Sequence, residues 1–312
     1  MAVALLSCLL ALVLDFLVGE PRRWHPLVGL GWYADRIEAA LNPSGRGGIL
    51  AGGLATVLVV LPVIGVALVA SALPWPYGLV VAVILLWVCI GHSSLAEHGM
   101  AVYQPLMDED LETARERVGM MVSRNTRGLD EEAIAKATTE SLLENGADAI
   151  FASLFWFLIA GLPGLLLHRA VNTLDAMWGY RSDRFNRFGR VAARLDDALN
   201  WAPARLTALG YALAGRTRMA LRCWKTQARA WESPNAGPVM AAGAGALGVW
   251  LGGRAPYHNG WRERPLLGHG ELPDALTIPS AITLIQRSLV LWMLAVAIVT
   301  VLVEALGRGG LW

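Results

Sequence analysis

The sequence predicts an all-α, polytopic integral membrane protein with about four spanning helices, a re-entrant helical hairpin and a polar cytoplasmic portion. Three observations carry that expectation: an apolar composition, four long apolar stretches without Lys or Arg, and the confinement of nearly all basic residues to the chain between them.

Of the 312 residues 55% are hydrophobic and 16% charged, whereas soluble domains carry about a quarter charged residues. Ala2 to Val18, Ile49 to Leu73, Gly78 to Ile90 with its flanks, and Ser288 to Leu306 are apolar enough to cross about 30 Å of hydrocarbon as helices. The first lacks the basic start and small-residue cleavage site of a secretory signal, so it is expected to be retained. A formal net charge of +1 argues against nucleic-acid binding, which needs a basic face. Cys8, Cys89 and Cys223 have no metal-site spacing and read as small buried hydrophobes.

Every Lys and Arg except Arg308 lies between Arg22 and Arg287, outside the four apolar stretches. Basic residues collect on the cytoplasmic side, so the uncharged tip Pro74-Trp75-Pro76-Tyr77 and both termini are expected to face outward. A single crossing by residues 149–167 would export six arginines between Arg169 and Arg194. Gly161-Leu162-Pro163-Gly164 is a turn signal in the middle of that stretch, so it reads as a re-entrant hairpin, a device tolerated where protein or a wet cavity surrounds the broken backbone. The Gly/Ala-rich run Ala236 to Gly253 reads as a second embedded element. With no internal repeat or low-complexity linker, one membrane-embedded domain over residues 1–312 is the simplest partition.

The polar blocks are candidates for chemistry. Read as a helix, residues 129–150 put Lys136, Glu140, Glu144 and Asp148 on one face. Three stacked acids repel one another and suit Mg²⁺ held with nucleotide phosphates; a solvated face is the bland alternative. Ser123-Arg124-Asn125-Thr126-Arg127-Gly128 offers donors for phosphate or carboxylate and ends at an N-cap, Asp130. Asn172-Thr173-Leu174-Asp175 and Gly179-Tyr180-Arg181 follow the expected hairpin, where unsatisfied polar groups would be unfavourable. Asp196, Asp197, Asn200 and Arg205 come next, then Ser233-Pro234-Asn235, Tyr257-His258-Asn259-Gly260 and Arg264-Pro265. His25 and His258 are the histidines that stand out, a lone His being more often structural than a ligand.

The identity and order of these blocks resemble the CobD/CbiB family of cobalamin biosynthesis, the adenosylcobinamide-phosphate synthases. The resemblance runs over residues 15–270, from Asp15-Phe16, Gly19-Glu20-Pro21 and His25-Pro26, through SRNTRGLDEEAI and ESLLENGADAIFASLF, to AVNTLDAMWGYR, ARLDDALNWAPARLTAL, SPNAG, YHNG and RPLLG. It implies a bacterial inner-membrane ligase with its active face in the cytoplasm, which amidates a propionate of adenosylcobyric acid with aminopropanol or its phosphate. ATP and Mg²⁺ would be consumed and used, with the corrinoid as substrate and the bilayer, other pathway enzymes or a second copy as partners.

Through that resemblance Glu140, Glu144 and Asp148 become expected metal or nucleotide ligands, and Glu140, Asp175 and Asp196 expected catalytic groups. Arg124, Asn125, Thr126, Asn172, Thr173, Tyr180, Arg181, Asn200, Arg205 and His258 become expected substrate contacts. The chain departs from the family pattern at Asn125, where Asp is usual, and at Ala149 and Ser153, where Gly and Pro are. An amide at 125 cannot serve as an anionic ligand, which moves that burden to the acids of the following helix. A transporter would carry polar groups along its crossing helices, and these are nearly uncharged. An AmpE-like sensor or a scaffold for corrinoid enzymes is the alternative class.

Overall fold

The computed structural model describes residues 1–21, 25–257 and 260–309. In chain order the helices are α1 (Ala2–Val18), α2 (Pro26–Leu41), α3 (Ile49–Ser71), α4 (Tyr77–Ile90), α5 (His92–Met107), α6 (Leu111–Gly119), α7 (Glu131–Asn145), α8 (Ala152–Trp178), α9 (Arg190–Ala214), α10 (Thr217–Gln227), α11 (Ala236–Leu247) and α12 (Thr277–Gly309). Strands β1 (Trp250–Gly252), β2 (Ala255–Tyr257), β3 (Gly260–Arg262) and β4 (Leu266–Gly268) lie between α11 and α12. The described residues divide into two compact units, one of residues 1–91 and 148–200, the other of residues 92–147 and 201–312.

Four helical runs are long and apolar enough to cross a membrane: Ile49–Ser71, Tyr77–Met107, Glu131–Trp178 and Thr277–Leu306. The expected spans beginning at Ile49, Gly78 and Ser288 fall within them. Helix α1, at 17 residues, is about 25 Å long and is the shortest of the expected spans apart from α4. Helix α4 ends at Gly91, left-handed at φ 56°, and α5 follows at once.

In the first unit α3, α4 and α1 pack against α8. Ala34, Ala55, Val59, Leu174, Trp178, Phe188 and Ala192 form a core cluster, with the Trp178 and Phe188 rings edge to face at 5.2 Å. Gly52 admits close packing, since a Cβ there would lie 1.8 Å from the Phe188 carbonyl oxygen. Trp87 Nε1 donates to the Gly19 carbonyl (2.9 Å), tying α4 to the end of α1. Glu38 accepts from Arg184 Nε and Nη2 at 3.0 and 2.7 Å and from Asn42 Nδ2 at 2.7 Å, which clasps the end of α2 to the segment before α9.

The expected helical hairpin is present. Helix α8 is broken at Ala160 (φ −132°, ψ 15°) and Gly161 (φ 61°, ψ −150°), a positive φ that favours glycine. A straight helix would separate residues 156 and 164 by about 12 Å along its axis. Instead a Cβ on Gly164 would sit 2.6 Å from the Trp156 carbonyl oxygen, so the chain has turned back on itself. Trp156 Nε1 donates to the Leu199 carbonyl (3.0 Å) and holds the first limb to α9.

In the second unit α11 is buried along nearly its whole length. Its small residues let neighbours approach: Gly243 lies against Leu143 and Gly245 against the backbone of Ala220. At 12 residues, about 18 Å, it is shorter than the roughly 30 Å of hydrocarbon that a spanning helix crosses. The chain beyond it is not helical as expected, because Gly252, Gly253, Gly260 and Gly268 all adopt positive φ and turn the segment into two antiparallel pairs, β1 with β4 and β2 with β3. Cys8, Cys89 and Cys223 are buried and free.

Candidate functional site

Helix α7 begins where the sequence places its cap: Asp130 Oδ1 accepts from the Ala133 amide at 2.9 Å. Ile134, Ala135, Ala137, Thr138, Leu142 and Leu143 bury the helix on several sides, so Glu140, in its middle, is only 2% exposed. A carboxylate so placed needs charged or hydrogen-bonded partners, and four donors supply them. Arg124 Nη2 donates at 2.6 Å, Arg264 Nη1 and Nη2 at 2.9 and 3.0 Å, and the Gly252 amide at 2.8 Å. Arg264 Nε is held by the Gly253 carbonyl at 3.1 Å, so β1 and the turn after it position both the guanidinium and the amide.

This cluster floors a cavity of about 470 Å³, also lined by Glu144, Asn145, Trp231, Tyr257 and Arg262. Arg262 is half exposed, pairs with Glu232 and stacks near Tyr257. Two buried guanidiniums face one buried carboxylate at the floor, while Glu144, Glu232 and Glu263 also line the cavity, so cationic donors and acids are presented side by side.

Of the expected site residues, Arg124, Glu140 and Glu144 therefore meet at one cavity. The three-acid metal face does not assemble. Among the described residues no group of three His, Cys, Asp or Glu side chains is arranged to hold a metal. Both Glu140 oxygens are taken by cations and an amide, and a π-helical turn over Gly146–Phe151 breaks the four-residue register before it reaches Asp148. Asn125 Oδ1 accepts from the Arg127 amide at 3.1 Å, an Asx turn that shapes the loop carrying Arg124. Thr126 packs beside Gly119. Arg205 spends its guanidinium on the Trp201 and Pro234 carbonyls and on Asn235 Oδ1, at 2.7, 3.0 and 2.9 Å, so it braces the Ser233-Pro234-Asn235 turn. His258 lies outside the described residues.

The first unit gathers a second set. Asn172 Nδ2 and Asn200 Nδ2 donate to the two oxygens of Asp196 at 3.3 and 3.0 Å. Arg169 Nη1 donates to Asn172 Oδ1 at 3.3 Å, and the fully buried His168 ring meets Asn200 Oδ1 at 2.9 Å. Thr173 bonds back to the Arg169 carbonyl at 2.8 Å within its own helix, and Tyr180 and Arg181 are exposed. The carboxylate of Asp175 packs onto Gly179, where a Cβ would lie 2.2 Å from Asp175 Oδ1. His25 caps α2 by accepting from the Leu27 amide at 3.2 Å. Arg262, Gly252 and His168 carry no signal in the sequence that marks them; Arg264-Pro265 stands out as a block, but nothing in the sequence ties it to an acid more than a hundred residues earlier.

Burial holds the Asp196 carboxyl above the ordinary carboxylate range; the Asn172 and Asn200 amides pull it back, and Asp197 beside it raises it again. A raised folded-state value means that the stabilisation is fully present below the unfolded value, about 3.9, and is lost as pH rises through the folded one. Comparing melting temperatures of the wild type and Asp196→Asn across that range should show the variant gaining relative stability as pH rises. A difference independent of pH would contradict the burial argument.

The family model described as CobD/Cbib protein matches residues 8–285. A protein of Stutzerimonas stutzeri named cobalamin biosynthesis protein CobD is 55% identical over 93% of this chain and 95% of its own length. The protein of the same name from Chromobacterium violaceum is 52% identical over 91% and 92%, and that from Mycobacterium tuberculosis is 38% identical over 88% and 89%. No solved structure matches the chain.

Proposed function

The chain belongs to the CobD/CbiB family and has a role in cobalamin biosynthesis, and from that premise we propose that it is the ATP-dependent ligase that amidates a propionate of adenosylcobyric acid with aminopropanol or its phosphate. The observation that carries this reading is the two-to-one ratio of buried guanidinium to carboxylate at the floor of a polar cavity. Such a floor suits phosphate or propionate oxygens, and the acids at its rim suit an ammonium.

Amide formation from a carboxylate needs a better leaving group than oxide. A propionate oxygen attacks the terminal phosphorus of ATP and ADP departs; the amine nitrogen then attacks the acyl phosphate carbon, the carbon–oxygen bond to phosphate breaks, and a carboxylate accepts the ammonium proton. Arg124 and Arg264, fixed by Glu140, offset charge on the oxygens, and fixed donors of this kind act most strongly where water is excluded. A Mg²⁺ ion held jointly by Glu140, Glu144 and Asp148 does not fit the residues, since the Glu140 oxygens are already engaged. The metal of Mg-ATP would be carried by its phosphates, and of the three expected acids Glu140 and Glu144 line the cavity. Asp175 and Asp196, in the first unit, are separate proposals for amine binding, and at the cavity itself Glu144 is the acid proposed to take the proton. The working face is proposed to be cytoplasmic, where the arginine-rich segments collect.

The test is to incubate the purified full chain in detergent with adenosylcobyric acid, Mg-ATP and each amine in turn, and to look for the amide by mass spectrometry. One amide product with ADP release is expected; no product with either amine would favour a sensor or scaffold role.

A further inference from the structure

We propose that the outward face of α10 is a docking surface for anionic phospholipid headgroups of the bilayer that the apolar helices enter. Arg218, Arg222 and Lys225 on α10 and Arg229 on the 3₁₀ turn that follows it (Ala228–Ala230) recur at intervals of four, three and four residues, which lays them along one stripe about 16 Å long. All four are exposed. The opposite face, Ala220 and Cys223, is buried against α11, where Gly245 touches the Ala220 backbone. Among the described residues none of the four takes part in an ion pair. No Asp or Glu occurs on α10 or on the elements packed against it, the following 3₁₀ turn, α11 and β4. Like charges at these spacings weaken a helix, so the stripe is stabilised when anions outside the protein meet it.

A second observation places the stripe at a membrane boundary. Helix α9 runs antiparallel to α12: Trp292 Nε1 donates to the Leu206 carbonyl at 3.4 Å, and Gly210 lies against Trp292 and Ser288. Advancing along α9 therefore descends α12 toward Arg287, the last cation before its uncharged run over residues 288–303. Helix α9 ends at Ala214 and α10 begins three residues later, where the chain leaves the level of that run. Leu221, 41% exposed, and the half-buried Trp224 border the stripe. Cations with interleaved apolar side chains fit a headgroup boundary better than the surface of an acidic protein.

Each Lys or Arg close to an anionic leaflet strengthens attachment about fivefold, from about 1 kcal/mol per residue. The experiment compares hydrogen exchange of the full chain in nanodiscs of phosphatidylcholine alone and of phosphatidylcholine with phosphatidylglycerol. Amides of residues 217–229 are expected to exchange several-fold more slowly with phosphatidylglycerol. That slowing should vanish in the combined Arg218→Gln, Arg222→Gln, Lys225→Gln, Arg229→Gln variant and survive when the three arginines become Lys. Unchanged α11 exchange in the variants shows that the fold is intact, and the wild-type comparison stands without them. Equal exchange of wild-type α10 in the two discs would overturn the proposal. So would slowing in phosphatidylcholine discs by glycerol phosphate, which marks a free-phosphate site, or by polyglutamate alone, which marks an acidic protein partner.

Discussion

Replacing Glu140 by Gln is expected to destabilise the protein by about 3–5 kcal/mol, the range for removing one partner of a buried ion pair. The amide keeps the shape of the side chain but not its charge, so Arg124 and Arg264, with side chains 11% and 9% exposed, are left buried and repelling one another. An amide also offers one acceptor oxygen where four donors now converge. Thermal unfolding in detergent reads the effect, and amide formation should be lost with it. The double variant Glu140→Gln with Arg124→Gln should recover part of the loss, because it removes one of the uncompensated charges. A Glu140→Gln protein that melts like the wild type would mean that the buried cluster does not hold the floor of the cavity together.

Glu144→Gln should behave in the opposite way. Glu144 is exposed at the cavity, so its stability should stay within about 0.5 kcal/mol of the wild type. Its turnover should fall by about 10²–10⁴, the usual contribution of a positioned proton-transfer group. Steady-state kinetics with Mg-ATP, adenosylcobyric acid and saturating amine separates this from a binding defect, since the loss is expected in kcat. Wild-type turnover would remove Glu144 from the chemistry and leave the arginines as the cavity's contribution. The two variants together separate an acid that builds the site from an acid that works in it.

Much of the architecture could be read in advance from short-range rules. Helix α3 and the uncharged part of α12 follow from hydropathy, the start of α7 from the cap at Asp130, and the hairpin in α8 from Gly161, Pro163 and Gly164 together with the arginines beyond it. The strands were not legible, because each is three residues long and depends on glycines at positive φ rather than on an alternating pattern. At the site, the four-residue spacing brought Glu140 and Glu144 to notice but suggested a metal face. Spacing alone cannot show that a carboxylate is already neutralised, and the neutralising Arg264 arrives from a turn far along the chain. Nor did the motif Ala202-Pro203-Ala204-Arg205 reveal that Arg205 braces the Pro234 turn, since a guanidinium with all its bonds inside the protein looks in sequence like one kept for a substrate. His168 escaped notice because it sits in an apolar run, and only the fold shows Asn200 across from it.

The most direct measurement of the proposed chemistry follows one oxygen atom. Adenosylcobyric acid carrying heavy oxygen in its free propionate carboxylate is turned over with Mg-ATP and the preferred amine, and the released inorganic phosphate is analysed by mass spectrometry. If the carboxylate attacks the terminal phosphorus at the arginine-floored cavity, one heavy oxygen leaves with each phosphate as the amide forms. Phosphate that carries none, with amide product present, would contradict an acyl phosphate and the role given to Arg124 and Arg264 in binding its oxygens.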